Sequence, residues 1–270
     1  MVVTLAVLGV VTAVDGEYVA APVESFDKMA RRATLSDEAD LALRRIARDL
    51  RAALPNSIRV ITDVAGRSYL ECLEVRAGGR YRGQVASDGG GDPLDFSVAD
   101  TSFDILGATP TSPWRGDISV GDRVVVFNTG HTGGDAYAGD NSAAISAVPT
   151  AATKPNERVL RFAAKQFPAA SPYSRFHVIS GPVSYVCDPA AGTLTRHWGY
   201  SISASQPAPP SGGQSALLAT SVSACGFSYT SGVLSSLGLA SLSLTLTRSG
   251  AAGSPESVRL FSQIRVSGLP

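Results

Sequence analysis

Apolar and polar residues follow three different rhythms along this chain, and each rhythm predicts an element. Residues 1–14 (MVVTLAVLGVVTAV) form an uncharged apolar run. From Asp15 to Leu54, apolar residues return every three or four positions, the period of a helix with one buried face. One row is Phe26, Met29, Ala33, Leu43, Ala47, Leu50 and Leu54; a second, beside it, is Leu35, Ala39, Ala42, Ile46, Leu50 and Ala53. The opposite face carries Lys28, Arg31, Arg32, Asp37, Glu38, Arg44, Arg45, Arg48 and Arg51, with Asp40 and Arg44 spaced for an i, i+4 ion pair. Pro55-Asn56 ends the helix, Pro22 predicts a kink, and Gly16 is a second weak point. After Pro55 the period changes to two. It predicts strands at 57–63, 67–75, 123–128, 158–162, 175–179, 183–187, 193–200, 217–229, 239–248 and 257–267. Ala77-Gly78-Gly79, Asp188-Pro189, Ala191-Gly192, Ser211-Gly212-Gly213 and Ser249-Gly250 read as turns, and 83–92, 107–122 and 129–155 as long loops.

One helix followed by many antiparallel strands predicts an α+β fold. The N-terminal helix, kinked near Pro22, is expected to pack on an antiparallel β-sheet head. The chain divides into an apolar segment (1–14), an amphipathic helix (15–55) and a β-rich head (56–270), with no internal repeat and no second domain. The apolar run admits three readings. A signal peptide has the right core but lacks the basic residues that should precede it. A buried core helix is possible at this length, although its β-branched residues are only fair helix formers. The third is a membrane helix whose front end precedes this sequence. A helix that continues past Val14 favours the third, because a cleaved signal needs no helical continuation.

Composition narrows the function. The chain has 23 basic and 23 acidic residues in 270, so its net charge is zero and no basic footprint for nucleic acid exists. Hydrophobic residues make up 44% of the chain, which excludes a disordered protein. From Ser201 to Thr247 there is no charged side chain. Of three cysteines, Cys187 and Cys225 lie in predicted strands among apolar and aromatic neighbours and belong to no CxxC pair. They suit a disulfide and an oxidising compartment; three buried free thiols are the alternative, and Cys72 reads as a core residue. Three histidines, His131, His177 and His197, are available as bases, but no GxSxG, P-loop, HExxH or EF-hand pattern accompanies them. The expectation is a non-catalytic protein without cofactor or metal. The Gly/Asp-rich loops 88–95 and 131–141 read as turns, with calcium binding as the sharper alternative. Trp114, Tyr137 and Trp198 would be the sugar-stacking residues of a carbohydrate-binding head.

Several blocks, in order along the chain, resemble the type IV pilin-like family, and within it the minor pilins of mannose-sensitive haemagglutinin (MSHA) pilus biogenesis. They are 40–57 (DLALRRIARDLRAALPNS), 75–81 (VRAGGRY), 94–103 (LDFSVADTSF), 175–188 (RFHVISGPVSYVCD), 192–200 (GTLTRHWGY), 221–229 (SVSACGFSY) and 266–270 (VSGLP). Members of that family begin with a basic leader and a Gly-Phe-Thr-Leu-(Ile/Val)-Glu motif before the apolar helix. Met1-Val2-Val3 resembles the residues directly after that Glu, so the resemblance implies that the leader and motif lie ahead of this sequence. It also implies that prepilin peptidase acts on the longer protein. Val2, Val3, Leu5, Ala6, Val7, Leu8, Gly9, Val10, Val11 and Val14 would then form the membrane and filament-core helix, with Ala6 and Gly9 allowing close helix approach. The resemblance implies a subunit held in the inner membrane with a periplasmic head, later assembled into a cell-surface pilus to prime, cap or support it. Its partners would be other minor pilins, the major pilin and the inner-membrane assembly platform. A type II secretion pseudopilin, an exported adhesin head and a secreted hydrolase are the alternatives.

Overall fold

The computed structural model describes residues 2–111, 116–232, 237–249 and 255–269, with side chains from Ser25 onward. One helix, α1 (Val2–Arg51), precedes twelve strands. They are β1 (Arg59–Thr62), β2 (Ser68–Arg80), β3 (Asp100–Ile105), β4 (Arg123–Val126), β5 (Ser142–Ala151) and β6 (Arg158–Lys165), followed by β7 (Arg175–Asp188), β8 (Thr193–Trp198), β9 (Gln214–Ala219), β10 (Val222–Thr230), β11 (Gly238–Ser249) and β12 (Pro255–Val266).

Two long strands, β2 and β7, hold the head together. They pair antiparallel from Ser68↔Cys187 to Arg80↔Arg175. Gly181, at φ +143°, and Pro182 lie at the middle of β7, and its two halves have different outer neighbours. The first half pairs with β4 and the second with β8. Beyond β4 the sheet continues through β5 and β6 to β3. It curls until β3 meets the end of β2, where Arg82 N–H donates to Asp104 O at 2.8 Å and Leu106 N–H to Arg80 O at 2.9 Å. The curl encloses its own core, with Phe103, Phe162, Phe167, Phe176 and Tyr81 at its centre. Ring centroids there lie 5.1–5.9 Å apart in tilted and edge-to-face arrangements.

The second core contains the helix. The seated part of α1 packs against β11 and β12 of a separate three-stranded sheet, β10-β11-β12. Its other side meets Leu70 and Cys72 of β2, Val183 and Tyr185 of β7, and Leu194 of β8. Leu35, Ile46 and Leu50 are fully buried, each contributing about 1.5–3 kcal/mol by leaving water. The chain leaves the helix directly into the sheet: Leu54 N–H donates to Leu73 O at 2.9 Å, and Ser57 Oγ caps Leu54 O at 2.7 Å. Cys187 of β7 and Cys225 of β10 are bonded, their Cα atoms 6.5 Å apart, so the expected disulfide ties the two sheets together. Closing a loop of 38 residues restricts the unfolded chain by about 4 kcal/mol in the chain-entropy account. Cys72 is a buried free thiol, as expected.

The expected α+β fold, a long helix packed on an antiparallel sheet, is corrected. Over the residues described in full, 46% are strand and 12% helix, so they are mainly β, a curled antiparallel sheet with helix only in the final part of α1. The physical reason lies in the aromatic core, which contains no residue of α1: the curled sheet covers its own face and needs no helix there. Smaller expectations are also revised. Residues 77–79 belong to the bulged end of β2 instead of a turn, and β5 occupies part of the loop expected at 129–155. The strand expected at 217–229 is two strands, β9 and β10, separated around Ser221 at φ +56°. The kink expected at Pro22, and the side chains from Val2 to Val14, lie outside the residues described in full.

Candidate functional site: the helix and its seat

The fully described part of α1 has two parts with opposite surroundings. Phe26 is 72% exposed and Met29 66%, and Ala33 beside them is exposed as well. From Leu35 the apolar stripe turns inward, and Ala39, Ala42, Leu43, Ile46, Ala47, Leu50 and Ala53 are buried. At 3.6 residues per turn Phe26 lies half a turn round the helix from Leu35, so the exposed apolar side chains stand on a different face from the buried stripe. On the solvent side Asp40 and Arg44 form the expected ion pair at 2.7 Å.

Two acidic side chains fasten the seated part. Glu38 and Asp49 are eleven residues apart, about three turns, so they face the same way, roughly 16 Å apart along the axis. Glu38 Oε1 accepts from the Thr220 N–H at 2.5 Å and from its hydroxyl at 2.9 Å, which fixes the helix to the β9–β10 connection. Asp49 is 4% exposed and lies inside the apolar stripe. Its Oδ2 accepts from Arg196 Nε of β8 at 2.8 Å and from the Tyr185 hydroxyl of β7 at 2.6 Å. Arg196 is itself 7% exposed, its guanidinium lying 5.0 Å from the centre of the Trp198 ring. Burial works against the Arg196 charge, but the Asp49 carboxylate outweighs it, and the guanidinium pKa is raised. Burial, reinforced by the Asp49 charge, raises the Tyr185 pKa, so this phenol stays protonated and donates.

A second buried carboxylate, Glu71 of β2, is fully enclosed. It accepts from Arg59 Nε at 2.9 Å and from the Tyr200 hydroxyl at 3.0 Å, which shares a 2.6 Å hydrogen bond with Ser184. Burial raises the Glu71 pKa, against the opposing pull of Arg59 and Tyr200. Neither Asp49 nor Glu71 reaches solvent, so both act by binding elements of the head to each other.

The other residues singled out in the sequence are scattered. His177 lies in β7 opposite Val125 of β4, and His197 in β8 with Thr195 Oγ1 at 2.9 Å. His131 lies in the β4–β5 loop, away from both. Tyr137 is buried and Trp198 half-buried, with the Arg196 guanidinium 5.0 Å from its ring centre, and Trp114 lies outside the described residues. In the Gly/Asp-rich loops the carboxylates serve their own backbone. Asp140 accepts from the Gly133 N–H at 2.8 Å and Asp135 from the Tyr137 N–H at 2.9 Å, while Asp88 pairs with Lys154. Among the described residues no cluster of three His, Cys, Asp or Glu could hold a metal ion. Among them, too, no helix is long and apolar enough to cross a membrane. The sequence reading missed the Asp49–Tyr185–Arg196 and Glu71–Tyr200 networks. The signal for the first was present: an acid placed within an apolar stripe must be paired.

Replacing Asp49 by Asn leaves the buried Arg196 with the more distant Glu74 carboxylate, 3.8 Å away, in place of its 2.8 Å partner. D49N is expected to lose about 3–5 kcal/mol of stability in urea unfolding, and the double variant D49N/R196M to recover part of it. A loss in D49N below about 1 kcal/mol, the scale of an exposed pair, would show that the pair is not a fastening. His177 supplies a pH dependence. Burial and then Arg175 lower its pKa from 6.5 to about 4. The unfolded chain therefore binds this proton first, and the folded state loses stability as pH falls from 6.5 towards 4, by up to about 1.4 kcal/mol per pH unit. Unfolding midpoints of wild type and H177Q across that window should converge as pH falls; parallel curves would contradict it.

No family model matches the chain, and neither a curated protein nor a solved structure matches it.

Proposed function

We propose that this chain is a non-catalytic minor pilin of an MSHA-type type IV pilus, on sequence blocks that resemble those of MshO. The observation that carries the reading is the divided helix. Phe26 and Met29 stand in solvent on the part of α1 that precedes the segment buried in the head from Leu35. Large apolar side chains exposed on a helix ahead of its seat suit a helix that meets another subunit or a membrane beyond the point where its own head ends. The blocks that carry the resemblance occupy the elements building the two cores: 40–57 is the seat of α1, 175–188 is β7, 192–200 contains β8 and 221–229 contains most of β10. The disulfide between the sheets suits a periplasmic head.

In this reading residues 1–14 belong to the segment that anchors the subunit in the inner membrane. The prepilin peptidase processes the precursor, and the assembly platform lifts the subunit into the filament. Other minor pilins and the major pilin cover Phe26 and Met29. The head's role is to present α1 at a fixed angle, which the Glu38 and Asp49 contacts secure.

In the native host, deletion of the gene is expected to reduce surface pili. Complementation with F26D/M29D should fail, with piliation lower than wild type by about tenfold or more, while the variant accumulates with an unchanged thermal midpoint. Co-purification with at least one other minor pilin should be lost in parallel. Normal piliation in the deletion strain, or full complementation by F26D/M29D, would overturn the proposal.

A further inference from the structure

The three-stranded sheet ends in β12, a strand of 12 residues with one free edge. It pairs with β11 from Gly238↔Val266 to Ser249↔Pro255 without a register shift. Along its other edge residues 255–266 make no backbone hydrogen bond to any other element among the described residues. Edge strands are ordinarily shielded by bulges, lysines or prolines. β12 has no bulge and no lysine, and its one proline, Pro255, stands at its first position. Its outer backbone donors and acceptors are therefore open to another strand.

Beside the middle of this strand runs a groove of about 550 Å³ between α1 and β12. Leu43 and Ala47 of α1 and Leu260 of β12 give it an apolar lining, and Phe261, 64% exposed, stands at its side. Its charge is one-sided. Arg44 and Arg51 line it from α1, and the one acidic residue there, Asp40, is already paired with Arg44 at 2.7 Å. The side chains of β12 alternate, and Arg259, Phe261 and Arg265 share its exposed outer row. Arg51, Arg259 and Arg265 have no carboxylate within ion-pair distance among the described residues. Unpaired guanidiniums around an unpaired strand edge favour an incoming strand that carries carboxylates.

We propose that β12 receives, by strand addition, an extended acidic segment of a partner protein. The segment lengthens the three-stranded sheet by one strand. Its apolar side chains enter the groove against Leu43, Ala47 and Leu260, and on the outer side its carboxylates lie opposite Arg259 and Arg265. A second copy of β12 would bring no such counter-charge. Its outer row, Ser257, Arg259, Phe261, Gln263 and Arg265, has no acidic residue, and Glu256 stands on the other face of the strand. The proposal stands on the head alone and is independent of the pilin reading.

The test is titration calorimetry on the full chain in an uncharged detergent. The probe is a blocked peptide in which valine and glutamate alternate over about ten residues, a full strand length; a second peptide has lysine in place of glutamate. The glutamate peptide should bind saturably with a dissociation constant of the order of 100 μM, and the lysine peptide more weakly by about tenfold or more. Successive amides of a strand point to opposite edges, so N-methylation of all valines or of all glutamates should abolish binding in one of the two peptides and spare it in the other. R259Q/R265Q should weaken binding by about tenfold with an unchanged thermal midpoint. No saturable binding, equal binding of the lysine peptide, equal effects of the two N-methylations, or binding indifferent to R259Q/R265Q would overturn the proposal. Dimerisation of the chain in sedimentation that F261D abolishes would assign the edge to a second copy and overturn it as well.

Discussion

Asp49 brings a negative charge into the apolar stripe of a helix, where water does not reach. A lone carboxylate there would be too costly to keep, and the head answers with Arg196 from β8 and the Tyr185 hydroxyl from β7. The rest of the arrangement depends on that meeting. It sets the rotation of α1, because only one face places Asp49 against β8. It sets the height as well, because Glu38, three turns away, must reach Thr220. With rotation and height fixed, Leu35, Ile46 and Leu50 fall into the space between β2, β7 and β8 on one side and β11 and β12 on the other. The apolar contacts supply most of the free energy; the buried ionic contact selects one seating among the several that a smooth stripe would tolerate.

The two cores are distinct in composition and joined by shared strands. One is aliphatic and contains the helix; the other is aromatic and closed by the sheet on itself. Because β2 and β7 run through both, a displacement of the helix seat is transmitted along these strands into the curled sheet, and the Cys187–Cys225 bond keeps the three-stranded sheet against them. The polar interior serves cohesion: Asp49 and Glu71 are consumed by contacts inside the head.

Much of this was legible in the sequence for identifiable reasons. The stripe from Leu35 to Ala53 shows because its period is regular, and the Cys187–Cys225 pair because both residues stand in strands and no metal motif competes for them. Elsewhere local signals misled. Residues 175–179 and 183–187 read as two strands, yet they are the two halves of β7. Gly78 and Gly79 read as a turn, yet they pair with His177 and Phe176. β5 is rich in alanine and contains Pro149, and reads as loop; the proline sits where the register with β6 slips, the place where a strand tolerates it. The closure of β3 onto β2 depends on partners about 24 positions apart and leaves no local trace. The histidines drew attention as potential bases, whereas the side chains that organise the site are an aspartate, an arginine and a tyrosine from three separate elements.

Hydrogen exchange along α1 tests the divided helix most directly. In the full chain in detergent, the amides of residues 39–51 should exchange only with unfolding of the head, at the same rate as those of β7. The amides of residues 26–33, helical but uncovered by the head, should exchange faster by orders of magnitude through local opening. Equal protection of the two segments would contradict the account, since the helix would then be covered evenly and its seat would not begin at Leu35.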